Sequence, residues 1–321
     1  MKITVLGCGR WGSFITWYLG GLHHEVTEWG RPGSRTLREL QENGKNAYVG
    51  LPHGVTLTDD LEKAVQGADV IMVSIPSQSL RELGEQMLPL GADKKPVVLC
   101  MKGLEQESGL RLSEVMLACG YRREDLAVWV GPGHIQEFTA GHPNCMVMDG
   151  YDRALICRLV DACKSKLIRF YYGNDIIGSE IGAAAKNVMG IVAGILDGCE
   201  LSSLKGPLMA RGAREVARLI LAMGGNELSA YGLSHLGDYE TTLFSPYSNN
   251  RRYGEALARG EDFGKLAEGV YTAKAMHRLG EKYGVELPIT HAAYRVLYGG
   301  GAPLEELSGL FERKTVEEFW K

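Results

Sequence analysis

The sequence predicts an α/β fold, a Rossmann-type doubly wound parallel sheet followed by a C-terminal all-α domain. Three observations predict it. Short apolar and β-branched runs alternate with helical segments through the first half of the chain, the order that produces a parallel sheet covered on both faces. The first of these runs leads straight into Gly7-x-Gly9-x-x-Gly12 and an amphipathic helix. After about Asp175 the apolar pattern turns to long helical stretches. A boundary at Gly173 divides the chain into residues 1–173 and 174–321.

The elements follow in order. Lys2–Leu6 is a β-branched run and reads as a buried strand. A helix over 11–22 comes next, then a second strand over Glu25–Trp29. Three more apolar runs close on loop residues: 70–75 on Pro76-Ser77, 97–101 on Lys102-Gly103, and 126–130 on Gly131-Pro132. Helical segments such as 60–65 and 79–87 separate them. Ligands on such sheets bind beyond the carboxyl ends of the strands, so the loops at Gly7, Arg31, Pro76, Lys102 and Gly131 are expected to open on one side. In the second half, 207–223 places Met209, Ala213, Val216, Ile220 and Met223 on one stripe, with Pro207 near its start and Gly224-Gly225 at its end.

Composition narrows the function classes. At 321 residues with 45% hydrophobic and 23% charged residues, the chain suits two ordinary globular domains and excludes a disordered, collagen-like or disulfide-scaffold protein. Lys+Arg is 35 against Asp+Glu 39, a net charge of −4, which gives no global attraction to nucleic acid or anionic membranes. The 7 cysteines include no CxxC pair and no zinc-like Cys/His spacing, so they read as reduced, buried thiols of a cytoplasmic protein with no metal site. No apolar run is expected to reach the roughly 20 residues that span a bilayer, and glycines interrupt the apolar start, so no membrane insertion or signal peptide is expected.

Several residues carry chemistry. In the first loop Gly7 permits a tight turn, Gly9 lets backbone approach a pyrophosphate, and Gly12 lets helix pack on strand. In this context the pattern reads as a dinucleotide site, making 1–173 the cofactor domain; the bland alternative is an unliganded Gly-rich turn. Past the second strand Arg31 is placed to pair with a 2′-phosphate, which favours NADP(H), with NAD(H) as the second choice; Glu28 argues for NAD(H) if it points at the ribose. Lys102 and the Gly131 and Gly133 backbone sit at strand ends where an anionic substrate would lie. The segment from Glu180 to Gly194 is small and apolar apart from Lys186 and Asn187 at its middle. A lysine among apolar neighbours has a lowered pKa and suits proton transfer near neutrality; a snorkelling lysine or an interface ion pair is the alternative. Asp238, and the run Ser248-Asn249-Asn250-Arg251-Arg252 after a Pro turn, form a polar cluster that suits a phosphate oxyanion or is a solvated loop.

Taken in order, these pieces resemble the bacterial NAD(P)-dependent sn-glycerol-3-phosphate dehydrogenase family over nearly the whole chain. The matching segments are the opening loop with Trp11-Gly12, Asn46 to Pro52, Ile75-Pro76-Ser77, Lys102 to Glu105, Gly131 to Glu137, Lys186-Asn187-Val188, Leu236 to Asp238, Ser248 to Gly254, Glu268 to Ala273, Pro288 to Thr290 and Val296 to Tyr298. The resemblance implies reversible hydride transfer between NAD(P)H and dihydroxyacetone phosphate to give sn-glycerol 3-phosphate, supplying glycerophospholipid synthesis. It implies Lys186 as the proton donor and acceptor at the substrate C2 oxygen. It implies Lys102, Gly131, Gly133, Asp238, Ser248, Asn249 and Asn250 as substrate contacts and Thr242 as a polar site position; Asn187, beside Lys186, and Arg251, in the phosphate loop, are added to the substrate site from their own positions in the sequence. Arg10, Trp11, Arg31, Lys102, Ile135, Asn249, Leu266 and Glu268 are the implied cofactor contacts, beside Gly7, Gly9 and Gly12 of the glycine loop. A homodimer is the family's usual form.

Three departures stand out. Gly133 replaces a Ser or Thr of the family pattern, Ile135 an Ala, and Asn249 an Arg. The loss of that arginine predicts that Arg251 or Arg252 reaches into the site from the same loop.

Overall fold

A computed structural model describes residues 1–315, 317 and 318. Eight strands form one sheet: β1 (Lys2–Leu6), β2 (Glu25–Trp29), β3 (Thr56–Thr58), β4 (Val70–Val73), β5 (Val97–Leu99), β6 (Leu126–Val130), β7 (Asn144–Gly150) and β8 (Ile168–Tyr172). Their spatial order is β3-β2-β1-β4-β5-β6-β7-β8. Every neighbouring pair is parallel except β6 with β7. The order reverses beside β1, so the glycine loop after β1 opens at the crevice where such sheets take ligands. The helices of this half are α1 (Arg10–Gly21), α2 (Arg35–Asn43), α3 (Leu61–Gln66), α4 (Leu80–Met87), α5 (Leu112–Ala118), α6 (Ile135–Thr139) and α7 (Arg153–Cys163). They leave two apolar layers on the sheet: Ile3, Val5, Phe14, Leu19, Trp129 and Met148 belong to one, and Leu6, Ile71, Val73, Leu83, Val97 and Val128 to the other.

The sequence expects five strands; the structure adds β3, β7 and β8. β3 has only three residues, and β7 carries Asn, Asp and Gly. β8 ends the sheet with Arg169, Tyr171 and Tyr172 exposed. None of the three has the continuous apolar run of a buried parallel strand.

The second half is helical: α8 (Ile176–Gly198), α9 (Lys205–Ala222), α10 (Asn249–Arg259), α11 (Glu268–Tyr283), α12 (Pro288–Tyr298) and α13 (Pro303–Ser308). The 23-residue α8 is its axis. Small residues let α10 lie against it: a Cβ on Gly194 would fall 1.8 Å from the Arg251 carbonyl oxygen, and one on Gly254 2.0 Å from that of Ile191. By length and composition α8 is apolar enough to cross a membrane, contrary to the expectation that no segment would be. Its apolar stretch is instead nearly all buried within the protein, as in the core helix of a packed bundle.

A buried ion pair ties α8 to the sheet half. Arg111 Nη1 lies 2.6 Å from Glu180 Oε2, and the Ser113 backbone N–H donates to Glu180 Oε1 at 2.8 Å. Removing the Arg111 charge would leave the Glu180 carboxylate buried without a cation, which costs several kcal/mol, about 3–5, whereas Arg111 also pairs with Glu114 at 3.1 Å. This clamp fixes the depth at which residues two turns further along α8 meet the sheet.

Candidate active site

Lys186 lies in the middle of α8, with its side chain 11% exposed. Its amine donates to Thr242 Oγ1 at 2.8 Å and sits 3.4 Å from Asp238 Oδ2. Lys102 reaches the same carboxylate oxygen at 2.5 Å and donates to the Gly131 carbonyl at 2.7 Å. Thr241 Oγ1 donates to the other oxygen, Asp238 Oδ1. The loop after β5, the loop after β6, α8 and the turns preceding α10 thus meet at one buried carboxylate.

The electrostatics follow from this arrangement. Burial pushes the Lys186 amine down from its usual range to about 8; Lys102 adds repulsion, and Asp238 pulls the other way. Burial alone would raise Asp238, but the two amines hold its carboxyl below the usual range. His134 is pushed down to about 4 by burial and by Arg10 and Lys186, so it is neutral at pH 7. Its Nε2 is buried without a hydrogen-bond partner among the described residues.

A cavity of about 200 Å³ opens beside Lys186. Arg10 and Trp11 of α1 line it, as do Gly133, His134 and Ile135 after β6, and Asp238, Thr241 and Thr242. Tyr247, Ser248, Asn249 and Asn250 complete it. A larger cavity, about 680 Å³, lies between α9, α12 and the C-terminal segment and contains none of these groups. The smaller cavity is the candidate site, because there the shifted Lys186, Asp238 and His134 meet the glycine-loop helix.

The glycine loop suits a dinucleotide. Gly7 has φ +115°, and a Cβ there would fall 2.1 Å from the Ser74 carbonyl oxygen. A Cβ on Gly9 would meet nothing within 4 Å, so backbone there is open to a ligand. Gly12 packs against the Gly7 carbonyl. Gly9 caps α1 without a side-chain hydrogen bond, leaving the first amides of the helix for an anion. At the end of β2 Arg31 is exposed. Glu28 does not point at a ribose: it is fully buried under α1 and accepts from Ser13 Oγ at 2.7 Å.

Other expected residues fall at the margins or elsewhere. Asn187 accepts from Asn250 Nδ2 at 3.0 Å rather than touching the Lys186 amine, and Asn250 Oδ1 accepts from the Gly269 N–H. Glu268 accepts from the Ser77 N–H at 3.1 Å and from Ser77 Oγ, linking α11 to the turn after β4. The Leu266 carbonyl holds Asn249 Nδ2 at 3.3 Å. Arg251 corrects the expectation. Its guanidinium lies on Asp197 at 2.5 Å and Glu255 at 3.1 Å and does not line the cavity, because two carboxylates outcompete an open site. Arg252 lies over the Phe263 ring. His134, Thr241 and Tyr247 line the cavity without being expected from the sequence. His134 stands inside the Gly131–Glu137 motif and Thr241 three residues after Asp238; Tyr247 carried no signal beyond its neighbouring Pro turn.

Gly133 explains one departure. It has φ +159°, and a Cβ there would lie 2.3 Å from the Phe138 ring. The aromatic residue occupies the space a Ser or Thr side chain needs.

A glycine-loop sheet whose strand ends meet a helix-borne lysine and a shared carboxylate defines a dinucleotide-dependent dehydrogenase of two domains. Comparison with known proteins is more specific. Residues 2–155 match the model of the NAD-dependent glycerol-3-phosphate dehydrogenase N-terminus, and 175–308 that of its C-terminus. Glycerol-3-phosphate dehydrogenase [NAD(P)+] of Bacillus subtilis (strain 168) is 35% identical, across 99% of this chain and 96% of that one. The Bacillus pumilus protein of the same name is 34% identical over the same shares. The crystal structure of glycerol-3-phosphate dehydrogenase from Coxiella burnetii superposes with a TM-score of 0.89 at 28% identity, covering 97% of this chain and 99% of that one. The chain belongs to the NAD-dependent glycerol-3-phosphate dehydrogenase family.

Proposed function

We propose that this chain transfers a hydride reversibly between NAD(P)H and the C2 carbonyl of dihydroxyacetone phosphate, with Lys186 as the proton donor. The observation that carries the reading is the Lys186 amine, buried beside Asp238 in a cavity bounded by the glycine-loop helix. Bound NAD(P)H supplies the hydride. Lys186, protonated below about pH 8, gives its proton to the C2 oxygen as negative charge gathers there. Asp238 and Thr242 hold the amine in place, and Lys102 fixes Asp238. Gly7, Gly9, Trp11 and the first amides of α1 would hold the cofactor, beside Ile135 in the cavity wall. In the reverse direction neutral Lys186 takes the proton from the C2 hydroxyl.

NADP(H) is the preferred cofactor in this reading. Arg31 is exposed at the end of β2, and buried Glu28 offers no carboxylate to a ribose hydroxyl. Gly173 is taken as the junction of cofactor and substrate domains. Free cysteines throughout support a cytoplasmic site of action.

The test is oxidation of NADPH and NADH with dihydroxyacetone phosphate, beside 2-keto acids as carboxylate controls. Turnover with the phosphorylated ketose, faster with NADPH, is the expected result. Turnover with 2-keto acids alone would reassign the chain to hydroxyacid chemistry.

A further inference from the structure

We infer that Arg10, at the start of the glycine-loop helix, is the guanidinium that receives the substrate's phosphate. The inference rests on the function proposed above and deepens it. A phosphate dianion needs a cation whose charge is not already cancelled. The basic groups around the cavity can be taken in turn. Lys102 and Lys186 share Asp238, and Lys186 is committed to the C2 oxygen. Arg251 is neutralised by Asp197 and Glu255. Arg252 lies over Phe263. Arg252 does not line the cavity, whereas Arg10 does. Among the described residues Arg10 forms no ion pair with a carboxylate. Its hydrogen bonds go to neutral acceptors at long range, Tyr247 O at 3.4 Å and Gln136 Oε1 at 3.2 Å. Both are weak enough to yield to an anion.

The opposite wall completes a phosphate seat. Ser248 caps α10, an 11-residue helix that begins at Asn249, so the N-terminal end of α10 borders the cavity through Ser248, Asn249 and Asn250. Neutral His134 has a buried Nε2 with no hydrogen-bond partner among the described residues, which in the Nε2–H tautomer can donate to an oxyanion. Asn249 stands where the family resemblance expects an arginine. In this chain the guanidinium arrives from α1, across the cavity, instead of from α10.

The experiment compares wild type, Arg10→Gln and the double variant Arg10→Ser/Asn249→Arg. Steady-state rates are measured with NADPH on dihydroxyacetone phosphate and on unphosphorylated dihydroxyacetone, and NADPH affinity is read by fluorescence. Loss of one charge-assisted contact predicts a fall of about ten- to a hundredfold in kcat/KM for the phosphorylated ketose relative to the unphosphorylated one. The loss should fall mainly on KM. NADPH affinity should change less than about threefold, well below the effect of one such contact. The double variant should regain most of the loss, which also shows that the fold survives. An unchanged ratio would overturn the inference. So would a loss of NADPH affinity as large as the change in KM, which would assign Arg10 to the cofactor. A wild type inactive on dihydroxyacetone phosphate would instead overturn the reading of the function, and this inference with it.

Discussion

Lys102 and Lys186 approach the same oxygen of Asp238, at 2.5 and 3.4 Å. One carboxylate therefore serves two amines. The nearer, Lys102, also holds the Gly131 carbonyl and so pins the loop after β6. The farther, Lys186, keeps a proton that it gives up near pH 8. A lysine at its ordinary pKa would be a poorer acid for an alkoxide forming at neutral pH, because transfer is best when donor pKa and working pH are close.

Asp238→Asn is the first test of that relationship. Without the carboxylate, Lys186 loses the charge that favours its protonated form and keeps the repulsion from Lys102. The upper limb of the pH profile for ketose reduction should move to lower pH, and the maximal rate should fall. Measuring kcat between about pH 6 and about pH 9.5 checks this; a limb that stays in place would separate Asp238 from the proton donor.

Gly133→Ser probes the departure from the family pattern. The new Cβ would fall 2.3 Å from the Phe138 ring, at a φ of +159°. Overpacking together with backbone strain predicts a loss of about 1–3 kcal/mol in chemical denaturation. Adding Phe138→Leu should recover the steric part. Equal stability for wild type and single variant would show that the loop adapts freely.

Glu28 predicts a pH dependence of stability. Burial pushes its carboxyl up from 4.5 to about 7, although Ser13 donates to it. Between these values the folded state holds a proton that the unfolded chain has released. The Glu28 contribution is therefore fully present below about 4.5 and is lost as pH rises through 7. Glu28→Gln should gain stability over wild type as pH rises, by on the order of 3 kcal/mol above pH 7. Urea unfolding of both at about pH 5 and about pH 8.5 reads the difference; equal gains at both pH values would refute it.

Much of this architecture is legible in the sequence because its signals are local. The glycine loop, the apolar strands ending on Pro76, Lys102 and Gly131, and the lysine within the small-residue stretch of α8 each declare themselves within a few residues. Partnerships between distant residues do not. Arg251 looks like a phosphate ligand in the sequence, and only the packing of α10 on α8 brings it to Asp197. Glu28 looks like a ribose ligand until the register of β2 turns it under α1. Arg10 reads as one residue of a glycine loop; only the packing shows that it lines the cavity with no carboxylate partner among the described residues. Gly133 is a departure in the sequence and a steric necessity once Phe138 is in place.

The central claim is that Lys186 moves the proton, and the most direct measurement is the pH dependence of both reaction directions in wild type and Lys186→Met. Wild-type ketose reduction should fall above about pH 8 while alcohol oxidation rises through the same range, and Lys186→Met should bind NADPH yet lose both limbs with a rate drop of about 10²–10⁴. Wild-type profiles flat through pH 8, or a Lys186→Met variant turning over within tenfold of wild type, would contradict the account.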